Sequence, residues 1–264
     1  MTNREEKLLI VEHEEMIKTI ILNRPPLNIV NPALLNLLHD ELKRTADDRS
    51  IRAVILTGSG ERAFCAGADM GNEEAFNVDE ASHAFRETGR AVVDLIETLP
   101  QPVIAAVDGY CAGGGTGLAW ACDFVIASDR AKFGARDAYL GMIPTWSVGM
   151  VRLARWVGRR NAAEILLLGK WFSGEEGMGY ELVNQVVAAD KLMQTARDMA
   201  RHLCRAAPLC MERLKQGIRK TLFDGFEDAR RYEEESVVFL KKTRDAKEGI
   251  QAFMEKRKAV FEGR

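Results

Sequence analysis

The sequence predicts an α/β protein, a stacked spiral arrangement of strands and helices closed by a helical tail. Three observations predict it. Short apolar, β-branched runs such as Ala53-Val-Ile-Leu-Thr57 and Pro102-Val-Ile-Ala-Ala-Val107 alternate with stretches whose apolar residues fall at helical spacing. Both runs lead into small-residue segments that turn sharply, Phe64-Cys-Ala-Gly-Ala-Asp69 and Asp108-Gly-Tyr-Cys-Ala-Gly-Gly-Gly115. From about Lys191 the strand signals stop and the chain reads as nearly all helix. The repeating unit, strand pair, helix and strand, favours the spiral over a flat doubly wound sheet, although periodicity alone does not separate the two.

In chain order, residues 8–12 and 16–23 read as two strands joined by a tight charged turn. Residues 32–44 form an amphipathic helix that starts on Pro32. Residues 54–57 are a short buried strand, and 103–107, 124–127 and 183–187 are further strands with helices between them. Residues 68–84 are polar and glycine-bearing, the pattern of a mobile segment. Helices are expected at 192–205, 208–222, 225–242 and 246–261. The expected division is a core at 1–190 and a helical region at 191–264.

The chain has 264 residues, of which 47% are hydrophobic, enough for one large domain with a sizeable core. A formal net charge of -2 favours neither nucleic acid nor a membrane surface as partner. The five cysteines are odd in number and lack C-x-x-C spacing, so reduced and mostly buried thiols are expected rather than a disulfide framework or a zinc site. The first ten residues lack an apolar signal core, and no apolar run is long enough to cross a bilayer. A cytoplasmic enzyme is the expectation. No metal is expected, because no His/Asp/Glu spacing suggests one.

The two small-residue segments carry the chemistry. Gly113, Gly114 and Gly115 allow backbone N–H groups to point outward at a helix start, which attracts negative charge. A second N–H from Ala68 would complete a pair of donors aimed at one point, an oxyanion hole. The plainer alternative is two tight turns. Neither segment matches a phosphate-binding or dinucleotide fingerprint.

These residues, taken with others, resemble the crotonase (enoyl-CoA hydratase/isomerase) superfamily. The matching features are Leu22-Asn-Arg-Pro25 with Leu27-Asn28, the two segments above, Ala121-Cys-Asp123, Ala131-Lys-Phe133, Leu140-Gly141, Arg152-Leu153 and Ala252-Phe-x-Glu-Lys-Arg257. They run from residue 22 to 257, nearly the whole chain. The resemblance implies the crotonase-like spiral of ββα units, a helical C-terminal trimerisation region, and an enolate of an acyl-CoA thioester held by the Ala68 and Gly114 N–H groups. It implies no cofactor beyond the coenzyme A of the substrate, and a homotrimer or a hexamer made of two trimers.

Acid–base residues decide the fate of the enolate. Hydratases of the family carry two glutamates. The position of the first, in G-G-G-x-E-L-A, is Gly117 here, and the position of the second, in F-G-x-P-E-x-x-x-G, is Asp137. A third position, acidic in some relatives, is Thr145. One carboxylate remains, as in the family's simple enoyl-CoA isomerases, so isomerisation is favoured over hydration. Asp137 reads either as the catalytic base or as a partner of Arg136 or a loop cap. Hydration or hydrolysis of a cyclic acyl-CoA, and a non-catalytic acyl-CoA-binding protein, remain as alternatives.

Trp146 and Tyr139 are candidate acyl-pocket residues, with Met142 similar, and ordinary packing is the alternative for each. His83, Glu73 and Glu74 are weaker candidates for assistance. By resemblance, Pro26, Leu27 and Ala66 border the coenzyme A moiety and Asp69 caps or orders the turn after Ala68. Phe239 and Lys256 match the aromatic and basic contacts to adenine and phosphate, in the same or a neighbouring subunit. For Lys256 a solvated helix face is the alternative.

Overall fold

The computed structural model describes residues 7–71, 80–144 and 149–264. The chain opens with an antiparallel pair, β1 (Leu9–Glu14) and β2 (Ile17–Leu22), joined through Glu15, which adopts φ +54°. Helix α1 (Pro32–Asp47) comes next, with Pro32 in its first turn and the Asn31 side chain accepting from the Leu34 N–H.

The spiral then repeats itself. β3 (Ala53–Gly58) and β4 (Ala63–Cys65) precede α2 (Glu80–Thr98); β5 (Val103–Val107) and β6 (Tyr110–Ala112) precede α3 (Gly114–Trp120); β7 (Phe124–Ser128) and β8 (Lys132–Gly134) precede α4 (Gly149–Leu168). In each turn the first strand joins a large sheet and the second joins a small one. A short strand β9 (Phe172–Ser173), helix α5 (Gly174–Gly179) and strand β10 (Gln185–Val187) complete the core. The large sheet runs β1-β2-β3-β5-β7-β10 and is parallel from β2 onward; the small sheet runs β4-β6-β8-β9, parallel up to β8.

The central strands of the large sheet are buried on both faces, which is why they read as continuous apolar runs rather than alternating ones. Val54, Leu56, Val103, Ala105 and Val125 face the main core. Ala53, Ile55, Ile104, Ala106 and Ile126 face the opposite way. That second face is covered by helix α6 (Leu192–Leu203), whose Leu192, Ala196 and Ala200 recur every four residues.

The tail continues as α7 (Pro208–Phe223), α8 (Phe226–Leu240) and α9 (Arg244–Met254). Lys215 on α7 pins the tail to the core. Its ammonium, almost wholly buried, meets Asp123 at 2.7 Å and donates to the carbonyls of Ile96 and Gln101. Asp123 also accepts from the Val103 N–H at 2.7 Å, so the Ala121-Cys-Asp123 motif joins two strands and the tail.

Several expectations need correction. The expected strand at 183–187 begins only at Gln185, because the Asn184 side chain takes the Val125 N–H that a strand carbonyl would accept. The expected helix at 246–261 stops at Met254. The last residues fold back instead, with the buried Asp245 carboxylate accepting from the Glu262 and Gly263 N–H groups. Residues 80–84, expected in a mobile segment, are helical; 72–79 lie outside the described residues. The small sheet and the break in α4 at Gly158 (φ +73°) were not foreseen. The cysteines are free thiols and four of the five are buried. Among the described residues, no helix is long and apolar enough to cross a membrane.

Candidate active site

The small sheet creates the site. β4, β6 and β8 lie side by side and parallel, so the segments leaving their carboxyl ends emerge together. Those segments are Ala66–Asp69, Gly113–Gly115 and Ala135–Asp137. Together they line a cavity of about 780 Å³ that contains Ala66, Ala68, Gly114 and Asp137. Ligand sites at the carboxyl ends of parallel strands are common in α/β proteins.

Close backbone approach requires the glycines here. Gly67 adopts φ +110°, and a Cβ on it would stand 3.2 Å from the Ala112 carbonyl oxygen. Gly113 adopts φ +49° and donates its N–H to the Gly134 carbonyl at 3.0 Å, tying the second segment to the third. Gly114 is the first residue of α3, where an N–H has no partner within the helix.

Ala68 forms an isolated parallel bridge with Val30. The bonds of that bridge come from its neighbours: Val30 N–H donates to the Gly67 carbonyl and Asp69 N–H to the Val30 carbonyl, both at 2.8 Å. Ala68's own N–H and C=O therefore face the other edge of the segment. Asp69 pairs with Arg24 at 2.6 Å and accepts from the Gly71 N–H at 3.0 Å, so it orders the turn after Ala68. The Arg24 guanidinium holds the Asp69 carboxyl below its ordinary range.

The loop that carries Leu27 is fixed by Asn28, which is fully buried at φ +50°. Its side chain donates to the Ser59 and Ala63 carbonyls and accepts from the Arg24 N–H. Leu27 accepts from the Ala66 N–H at 3.0 Å and lines the cavity beside it. Pro26 precedes it in the same loop and is not in the cavity wall.

Asp137 opens a short 3₁₀ turn, Asp137–Leu140. One of its carboxylate oxygens, Oδ2, is buried with no hydrogen-bond partner among the described residues, and burial pushes the carboxyl above its ordinary value. Of the two alternative readings, a loop cap stays open, since the carboxylate accepts from its own backbone N–H, whereas a bridge to Arg136 does not form among the described residues. The Arg136 guanidinium lies instead over the rings of Tyr139 at 5.4 Å and Trp171 at 5.9 Å. Asp137 is the one carboxylate among the described residues that line the cavity.

The remaining candidates scatter. Gly117 is buried one turn into α3 and does not line the cavity. Tyr139 turns away from the cavity; its hydroxyl donates to the Leu168 carbonyl at 2.9 Å and its ring packs on Gly169. Met142 is in the wall. His83 is exposed on α2 and is not in the wall. Glu73, Glu74, Thr145 and Trp146 lie outside the described residues. Phe239 sits beneath the Arg213 guanidinium at 4.4 Å, and Lys256 comes after α9 at φ +55°; neither reaches this cavity within the single chain.

Sequence reasoning missed Tyr110, Trp171, Arg62 and Arg86, all in the cavity wall. Trp171 arrives because β9 pairs with β8, and it lies so close over Gly134 that a Cβ there would meet its ring at 2.7 Å. Tyr110 meets Trp171 edge-on at 5.4 Å. The only local signal was that Tyr110 sits inside the glycine segment.

A spiral with this cavity at the ends of its small sheet is the crotonase fold. The chain belongs to the enoyl-CoA hydratase/isomerase family, whose model matches residues 12–264. It is 35% identical over 251 residues to a short-chain-enoyl-CoA hydratase of Clostridium acetobutylicum, covering 95% of each chain. It is 36% identical to a carnitinyl-CoA dehydratase of Salmonella typhi, covering 94% of this chain and 95% of that one. Among solved structures, an enoyl-CoA hydratase from Bacillus anthracis superposes with a TM-score of 0.92 at 34% identity, covering 98% of this chain and 100% of that one.

Proposed function

We propose that the protein isomerises an enoyl-CoA thioester by single-carboxylate proton transfer. The observation that carries this reading is the desolvated Asp137 carboxyl, whose Oδ2 has no hydrogen-bond partner among the described residues and which is the one carboxyl among the described residues of the cavity wall. Asp137 takes a proton from C2 of a 3-enoyl thioester. The electron pair spreads onto the thioester oxygen, where the Ala68 and Gly114 N–H groups stabilise the developing charge. Asp137 then returns the proton to C4, leaving the 2-enoyl product. A donor of this kind is typically worth about 3–4 kcal/mol in the transition state. Pro26, Leu27 and Ala66 border the coenzyme A, and Asp69 holds the turn that presents Ala68.

Hydration is the second reading, favoured by the names of the hydratase and dehydratase relatives. Positioning a water usually draws on a second acid, and the family's first acid position is Gly117 here. The pure protein is incubated separately with crotonyl-CoA and a 3-enoyl-CoA in heavy water, and the products are read by NMR. Conversion of the 3-enoyl to the 2-enoyl thioester supports isomerisation. Rapid formation of 3-hydroxybutyryl-CoA from crotonyl-CoA, with no double-bond shift, overturns it in favour of hydration.

The tail leaves Phe226, Ile250, Phe253 and Val260 more than two-thirds exposed, which supports its role in assembly to a trimer or hexamer. Sedimentation equilibrium reads that mass directly.

A further inference from the structure

Three arginines, Arg62, Arg86 and Arg136, line the cavity that also holds Asp137. Burial is the dominant influence on that carboxyl, and no arginine is among the groups that move its titration.

The three differ in their setting. Arg62 and Arg136 are exposed and flank the small sheet, Arg62 just before β4 and Arg136 over the Trp171 ring. That wall suits the phosphates of coenzyme A. Arg86 comes from a different element, α2, and is only half exposed. It is next to the buried Phe85, which shares the cavity wall with it. Among the described residues its one hydrogen bond goes to the hydroxyl of Ser82, a fully buried residue one turn earlier, which draws the guanidinium toward the buried side of the helix. A guanidinium has five N–H donors. Among the described residues no carboxylate pairs with Arg86, so most of its donors lack a partner there, beside largely apolar walls.

We propose that Arg86 reads an anionic group at the far end of the acyl chain, so that the substrate class is the monothioester of a dicarboxylic acid. This rests on the acyl-CoA reading above and adds the identity of the acyl end. A guanidinium–carboxylate contact, charge-assisted and bidentate, is of the strong kind.

Titration calorimetry with two unreactive ligands tests it without reference to the reaction. Butyryl-CoA and glutaryl-CoA differ only by a terminal carboxylate. The expected ratio of their dissociation constants, butyryl over glutaryl, is about ten or more in the wild type. It falls to about one in Arg86→Gln and is partly restored in Arg86→Lys, which also shows that the position tolerates substitution. In Arg62→Gln both ligands weaken and the ratio persists. A ratio near one in the wild type, with butyryl-CoA and free coenzyme A still bound, overturns this inference alone. So does a ratio that Arg86→Gln leaves unchanged, which would assign Arg86 to the coenzyme A moiety. Failure of all three ligands to bind overturns the acyl-CoA reading and this inference with it.

Discussion

Gly115 stands so close to Cys65 that a Cβ on the glycine would lie 2.0 Å from the Cys65 carbonyl oxygen. The contact joins the first turn of α3 to the end of β4, and so sets the Gly114 segment beside the Ala66–Asp69 segment. No side-chain rotation relieves it, because the opposing atom is backbone. Gly115→Ala is expected to cost about 1–3 kcal/mol, as overpacking usually does. Activity should fall further than stability suggests, because the two N–H groups separate. A urea melt together with turnover of the same sample checks both; an unchanged midpoint would show that α3 moves freely.

Asp137→Ala should lower turnover by about 10²–10⁴-fold, the usual worth of a general acid–base group. Asp137→Asn keeps the shape and removes the base, so it should lose nearly as much. Unchanged turnover in either variant, measured with the substrate the wild type uses, removes Asp137 from the mechanism.

The acid limb of the rate profile should report the same group. Burial raises the Asp137 carboxyl above its ordinary value of 3.8. As a base it must be ionised, so kcat/KM should rise through a pKa displaced upward from that value. A limb at or below the ordinary carboxylate range would contradict the burial.

Stability has the opposite sign. A carboxyl whose folded pKa is raised holds its proton more tightly in the native state than in the unfolded chain. Its contribution is fully present below the unfolded value of 3.8 and is lost as pH rises through the folded pKa. Near neutral pH wild-type Asp137 is therefore a burden, and Asp137→Asn should be the more stable protein there. Below 3.8 the advantage should disappear. Thermal melts at both pH values decide it.

Lys215→Ala should destabilise by about 1–3 kcal/mol, the cost of leaving buried acceptors without their donor. It leaves Asp123 and the Ile96 and Gln101 carbonyls without their shared donor. Because Lys215 holds α7 to the core, limited proteolysis should cut the tail of the variant first. Uniform cleavage across core and tail would mean that apolar contacts alone dock the tail.

The sequence was most legible where structure is local. The large-sheet strands at 54–57, 103–107 and 124–127 announced themselves because burial on both faces demands unbroken apolar runs. Helix α1 was legible from Pro32 and its apolar spacing. The small sheet was not, because β4, β6, β8 and β9 have two or three residues each, too few for a period to show. The last residues read as helix, yet Asp245 captures their N–H groups from seventeen and eighteen positions away.

The sequence by itself determined the family, the large sheet, most of the tail and the single acid at Asp137, because motif residues and apolar spacing are properties of neighbours along the chain. Only the tertiary structure decided that the ends of β4, β6 and β8 share one cavity, that Oδ2 of Asp137 is buried with no partner among the described residues while Arg136 turns to aromatic rings, and that Trp171 and Arg86 join the wall. Those outcomes depend on pairings between residues far apart in the chain, and such pairings leave no local trace in composition or period.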